Sequence, residues 1–150
     1  MHDRVVIALI QRVVRASVVV DGDTVGAIDA GMLALIGVRR DDTTDNAERL
    51  LERLLGYRIF ADAHGRMNLA LRDTGGGLLL VPQFTLAADT RKGTRASFSS
   101  AAAPEAARHL FDHLVQCAGA AHTPVETGRF GADMSVSLVN EGPVSFILEA

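Results

Sequence analysis

Cysteine occurs once in the 150 residues, at Cys117. No intrachain disulfide can form, and a reducing cytoplasm is the expected compartment. Long apolar runs are missing too. None approaches the roughly 20 residues that cross a bilayer as a helix. The N-terminal "VVIALI" is too short for a secretory core and is followed at once by Gln11-Arg12. There is no basic surplus: the formal net charge is −3, which argues against a broad nucleic-acid binder and leaves open a small local footprint. Internal repeats and linkers rich in Pro, Gly or Ser are also absent, so the chain is expected to be a single domain, 1–150.

What is present is the composition of a globular protein, 48% hydrophobic and 22% charged. A chain of this size buries roughly 70% of its unfolded surface. Two segments have helical periodicity. Ala47, Leu50, Leu51, Leu54 and Leu55 follow i, i+3, i+4, i+7, i+8, with residues 43–45 as caps and Gly56 as the stop. Ala107, Leu110, Phe111, Leu114 and Val115 repeat that spacing, and Pro104 suits a first helical turn. Each amphipathic helix is expected to cover a sheet face.

Residues 5–10, 32–38 and 78–81 are continuous apolar runs, the pattern of strands buried on both faces. Residues 18–20 lead into Asp21-Gly22, a hairpin turn signal. Met134, Val136 and Leu138 alternate with Ser135 and Ser137, giving one covered and one polar face. The order of strands, helix, strand, helix, strands predicts an α/β layered domain with a mixed sheet and two main helices.

Catalytic signatures are scarce. There is no G-x-S-x-G elbow and no phosphate-binding P-loop. His109 and His113 have metal-ligand spacing in "HLFDH", but the glutamate of H-E-x-x-H is missing and no third ligand is evident. Neither a metal nor a cofactor is expected. His64 reads as a turn residue, and Cys117 as a buried structural thiol without an activating base.

Polar residues gather in "VPQFTLAADTRKGTRASF", directly after a buried strand, where loops often carry sites. Gln83 and Thr85 are candidate ligand contacts, and Phe84 and Phe98 candidate stacking faces. The alternation from Phe84 to Leu86 equally places Phe84 in the core. Arg91, Lys92 and Arg95, bracketing Gly93, form either a phosphate footprint or a solvated loop. Near the C-terminus, Gly142-Pro143 separates two strand-like runs. Proline donates no backbone hydrogen bond, so it marks a sheet edge, a bulge or, most simply, a turn.

"QFTLAADT", residues 83–90, together with "NEGPVSF", residues 140–146, closely resembles the D-aminoacyl-tRNA deacylases. "IQRVVRASV", "GYRIFADAHGRMNLAL" and "TGRFGADMSVSLVN" carry the likeness across nearly the whole chain. The resemblance implies partly barrel-like sheets, no cofactor, and hydrolysis of the ester joining a D-amino acid to the terminal adenosine of a tRNA. It implies a homodimer with active sites at the subunit interface, and neither DNA nor a membrane as a partner. Gln83, Phe84 and Thr85 would act mainly through main-chain groups, facing a Gly142-cis-Pro143 from the partner that rejects L-substrates. Arg12 would hold that element in place, and Ser97, Phe98 and Met134 would join it in binding substrate. The 2'-hydroxyl of the terminal adenosine would assist the attacking water. Glycyl-tRNA, whose amino acid is achiral, is an implied secondary substrate.

Two residues depart from the family pattern. Pro82 stands where serine is usual and removes one N–H beside the site. Ser145 replaces threonine and keeps its hydroxyl. Three other readings remain: an editing module for a mischarged L-amino acid, a non-enzymatic RNA-binding or oligomerisation domain, and a thiol hydrolase using Cys117.

Overall fold

The computed structural model describes residues 6–150, so Val5, the start of the first apolar run, lies outside the described residues. That run and residues 18–20 belong to one 14-residue strand, β1 (Ile7–Val20). Its buried positions shift phase between Val13 and Ala16, where its pairing with the last strand slips. That slip hides the continuity from a period-two reading. Asp21 and Gly22 both take positive φ, 50° and 83°, and turn β1 into the antiparallel β2 (Asp23–Ile28). This is the backbone that a two-residue hairpin needs and that Asp-Gly supplies.

β3 (Gly31–Gly37) returns antiparallel to β1. β6 (Gly77–Pro82) pairs parallel with β3, and β7 (Val125–Thr127) parallel with β6. β8 (Ser135–Glu149) runs antiparallel along the other edge of β1. The sheet is therefore mixed. It curls until the Ala27 amide of β2 reaches the Glu126 carboxylate of β7 at 3.4 Å, which makes it nearly a closed barrel.

α1 (Thr44–Gly56) begins with a Thr43–Asn46 capping box and α3 (Pro104–Ala121) with its proline, both where the sequence places them. Their apolar stripes pack on one sheet face against Ile10, Met32, Ala34, Ile36, Leu78 and Leu80. Leu33, Leu79 and Val81 point the other way, into a second core with Val13, Ala16, Val18 and Ile28. This accounts for the unbroken apolar runs: the helices cover one face and the sheet's own curl covers the other. Sequence periodicity did not reveal β4 (Phe60–Ala61), β5 (Met67–Leu69), the single-turn α2 (Leu71–Thr74) or β7, all too short to show a period.

The loop before α1 contains a mismatch. Asp42 Oδ2 accepts from the Arg39 amide at 2.6 Å, while Oδ1 is buried without a partner among the described residues. Burial pushes this carboxyl up from its ordinary 3.8 to about 6, against the opposing pull of Arg39. The folded state then binds the proton more tightly than the unfolded one, so stability falls as pH rises through that window. Asp42→Asn keeps an acceptor for Arg39 and removes the charge. Its expected gain at pH 7 is on the order of 1 kcal/mol, discounted because the group is half-buried, and close to nothing at pH 3. Urea unfolding of both proteins at the two pH values checks this; equal gains would refute it.

Candidate active site

The site begins where β6 ends. The Gln83 amide donates to the Ile36 carbonyl at 2.7 Å and closes the parallel ladder. Pro82 faces the other edge, past the last β6–β7 pair, Leu80–Thr127, so its missing N–H breaks no ladder bond. After Gln83 the chain makes one 3-10 turn, Phe84–Ala87, in which Leu86 and Ala88 donate back to the Gln83 and Thr85 carbonyls. The amides of Phe84 and Thr85 have no acceptor among the described residues. Within the segment 83–85, these two are the donors free for a ligand, and Gln83 is not.

The Gln83 side-chain amide donates to Thr85 Oγ1. An amide nitrogen takes up no proton, so this contact orients the hydroxyl without activating it. Phe84 is 63% exposed and Phe98 46%, with ring centroids 5.4 Å apart. Of the two placements that the alternation leaves open for Phe84, the exposed one is observed: the 3-10 turn breaks the alternation that would bury it. Phe84 lines the adjacent pocket, and Phe98 packs against Phe84 from outside that lining.

Beside them lies a pocket of about 530 Å³, lined by Val81, Pro82, Gln83 and Phe84 on one side and by Phe130, Met134 and Val136 on the other. Met134 Sδ accepts from the Arg129 amide at 3.4 Å. Phe130, whose ring stacks under Arg108 at 4.9 Å, went unremarked in the sequence, although it is the one aromatic in "TGRFGADM".

The basic loop is pinched by paired amide–carbonyl bonds between Asp89 and Ser97, 2.7 and 2.8 Å. Arg91 grips the Asp89 carboxylate through Nε and Nη2 at 3.0 and 2.8 Å. Those bonds hold Asp89 down to about 2, so the pair stays charged at neutral pH. Within this loop Lys92 and Arg95 are the two cations without an ion pair among the described residues. Replacing Lys92 and Arg95 with Gln should flatten the dependence of log kcat/KM on log salt by roughly 0.7 per charge, and Arg91→Gln by less. An unchanged slope in the double variant returns the loop to the solvated reading.

Gly142-Pro143 is not a turn. β8 continues through it, and residues 141–144 stand opposite the single residue Arg12 of β1, between the pairs Gln11–Ser145 and Val13–Asn140. It is a bulge of several residues with a cis Gly142-Pro143 bond, exposed to solvent. Arg12, nearly buried, donates through Nε to the Glu141 carbonyl at 3.2 Å and through Nη1 to the Ile59 carbonyl at 2.9 Å. On the other side Asn140 accepts from the Val144 amide and donates to Ser145 Oγ, both at 3.0 Å. Asn140 was missed as a site residue; only its place beside Gly-Pro in "NEGPVSF" signals it. Ser145 thus uses the hydroxyl it shares with threonine.

Within one chain the two segments stay apart. The pocket at Gln83 contains neither Arg12 nor Glu141, and the cavity beside those two contains no part of residues 83–85. His64 lies in a turn capped by Asp62, as read. Cys117 is half-buried rather than buried, 3.5 Å from His113.

A model of the D-Tyr-tRNA(Tyr) deacylase family matches residues 9–149. A D-aminoacyl-tRNA deacylase of Thioalkalivibrio sulfidiphilus is 71% identical over 143 residues, covering 95% of this chain and 96% of that protein. One from Janthinobacterium is 62% identical with the same coverage. Among solved structures, a c-Myc DNA unwinding element binding protein superposes with a TM-score of 0.91 at 33% identity, covering 96% of this chain and 98% of that one. A probable eukaryotic D-amino acid tRNA deacylase shares the fold, with a TM-score of 0.82 at 17% identity over 97% of this chain and all of that one.

Proposed function

Since the chain belongs to the D-Tyr-tRNA(Tyr) deacylase family, a family of hydrolases, we propose that it cleaves D-aminoacyl-tRNA into free D-amino acid and tRNA, in the cytoplasm, as a single domain. The observation that carries the mechanism is the pair of unengaged amides at Phe84 and Thr85, beside the pocket that Gln83 and Phe84 line, where the side chain bonded to the Thr85 hydroxyl is the Gln83 amide and not a base. Water attacks the ester carbonyl and the oxygen becomes an oxyanion. The two amides stabilise that charge, and the bond to the ribose oxygen breaks. The adenosine 2'-hydroxyl, rather than a protein side chain, assists the water. Phe84, Phe98 and Met134 hold the substrate's apolar surfaces.

In the same reading the chain is a homodimer in which Gly142 and Pro143 of one subunit enter the pocket of the other. Their carbonyls engage the amino group of a D-residue and exclude an L-side chain; glycine, which has none, passes. Three features support this. The bulge is exposed, it is braced by Arg12 and Asn140, and it lies on β8, whose outer edge is unpaired among the described residues. A long free edge invites pairing with another copy, and Val139, Phe146 and Ile147 on β8 are exposed.

The test is hydrolysis of D-tyrosyl-tRNA beside L-tyrosyl-tRNA by the purified protein. Fast turnover of the D-form alone is expected; equal rates, or preference for L, would favour the editing-module reading. Thr85→Ala and Cys117→Ala should each keep activity within about tenfold. A loss above about a thousandfold in either, the scale of removing a nucleophile, would overturn the main-chain mechanism.

A further inference from the structure

On the helical side of the molecule, away from the Gln83 pocket, α1 and α3 bring together three side chains that the deacylase reading does not use. His113 and Cys117 lie one turn apart on α3, and Glu48 faces them from α1. His113 Nε2 is 2.7 Å from Glu48 Oε2 and 3.5 Å from Cys117 Sγ. The carboxylate, imidazole and thiol donor atoms all lie within 4.8 Å of one another. His109, the other half of the sequence-level pair, is not in the group; the i, i+4 spacing that matters is His113 to Cys117.

We propose that Glu48, His113 and Cys117 form a binding site for a divalent cation of the zinc type, clamping α1 to α3. The donor set is one sulfur, one nitrogen and one oxygen, which suits borderline-soft Zn²⁺ and not the all-oxygen preference of Mg²⁺ or Ca²⁺. The sulfur–nitrogen distance agrees. With Zn–S of about 2.3 Å and Zn–N of about 2.0–2.1 Å, a tetrahedral S···N edge is about 3.5 Å, the separation already present. The N···O edge of such a site is about 3.3 Å and the S···O edge about 3.6 Å, so Glu48 must withdraw from His113 by roughly half an ångström and swing toward Cys117 from a separation of up to 4.8 Å. Its side chain is 53% exposed and free to do so. Three protein ligands leave the fourth position to water.

Binding requires the thiolate and an unprotonated Nε2. The Cys117 proton leaves to solvent, and the proton shared between His113 and Glu48 moves to Nδ1 or to solvent. Affinity therefore rises with pH. Along α3, Cys117 is ten residues beyond Ala107 of the pocket lining, a rise of about 15 Å, so the cation would reinforce the helical layer without touching the reacting ester. The same separation argues against a thiol hydrolase: neither the pocket at Gln83 nor the cavity beside Arg12 includes Cys117.

The test is titration of the chelator-treated, full-length protein with Co²⁺ as a spectroscopic substitute for Zn²⁺. The expected result is a thiolate-to-cobalt charge-transfer band that saturates at one cobalt per chain, is displaced by Zn²⁺ and accompanies a rise in Tm. Cys117→Ser should abolish the band. His113→Gln and Glu48→Gln should each weaken binding by more than about tenfold, at least the cost of losing an outer-shell partner. All three variants should deacylate D-tyrosyl-tRNA at the parent rate, which also verifies their folding. Absence of the band in the parent protein, its survival in Cys117→Ser, or unaltered affinity in His113→Gln would each overturn the proposal.

Discussion

Gly142→Ala is expected to lower kcat/KM for D-tyrosyl-tRNA by between ten- and a hundredfold or more while the dimer stays folded. Gly142 has a φ of +125°, a region that residues with a β-carbon rarely occupy. A β-carbon built there would lie 2.7 Å from Val144 Cγ2, 3.1 Å from Arg12 Nη2 and 3.2 Å from the Val144 amide. Val144 belongs to the bulge and Arg12 braces it, so their side chains must shift, and the positive φ strains any residue with a β-carbon whatever the space. Holding a residue in such a backbone region costs of order 1–3 kcal/mol, equivalent to roughly five- to a hundred-and-fiftyfold if the site must bear it. Any added obstruction of the substrate's amino group increases the loss. If the bulge were only a structural feature of β8, the change would lower Tm and leave activity per folded dimer intact. Steady-state kinetics beside thermal unfolding separates the two outcomes.

That test depends on a feature only half legible in the sequence. Glycine followed by proline between two apolar runs signals a break in the ladder, and the break is there. A break at the end of a strand and a bulge inside one have the same local pattern, and the simpler reading was a turn. What decides between them is pairing with β1, more than a hundred residues away, which no local period encodes. The long-period elements behaved differently. α1 and α3 have several turns of stripe, with a cap and a Gly56 stop for α1 and Pro104 at the start of α3, so their positions followed directly from spacing. Phe84 stayed undecided between core and stacking face for the reverse reason: one 3-10 turn is shorter than the window in which a period can be recognised. Arg12 and Asn140 look like ordinary strand residues; their grip on the bulge appears only when β8 is laid against β1.

The largest loss is expected for Phe84→Pro, and combining it with Gly142→Ala tests whether the site is shared. Gln83 has a ψ of 85°, outside the α region that a following proline disfavours and within a modest rotation of the extended region it prefers, and Phe84 opens the 3-10 turn, where an amide is not needed for the fold. The substitution therefore removes a proposed oxyanion donor together with a stacking ring, at little cost to the backbone. Loss of one such donor costs on the order of 10²–10³ in kcat. Phe84→Pro alone should be nearly inactive, and Gly142→Ala alone should keep no more than about a tenth of parental activity. If each site takes residues 83–85 from one subunit and Gly142-Pro143 from the other, a mixed dimer has one site with both segments intact and one with both altered. Unfolding and refolding the two variants together at equal concentration should then restore about a quarter of parental activity, since half the dimers are mixed and each has one working site. If one chain supplies both segments, every site contains a defect and the mixture stays as inactive as its components.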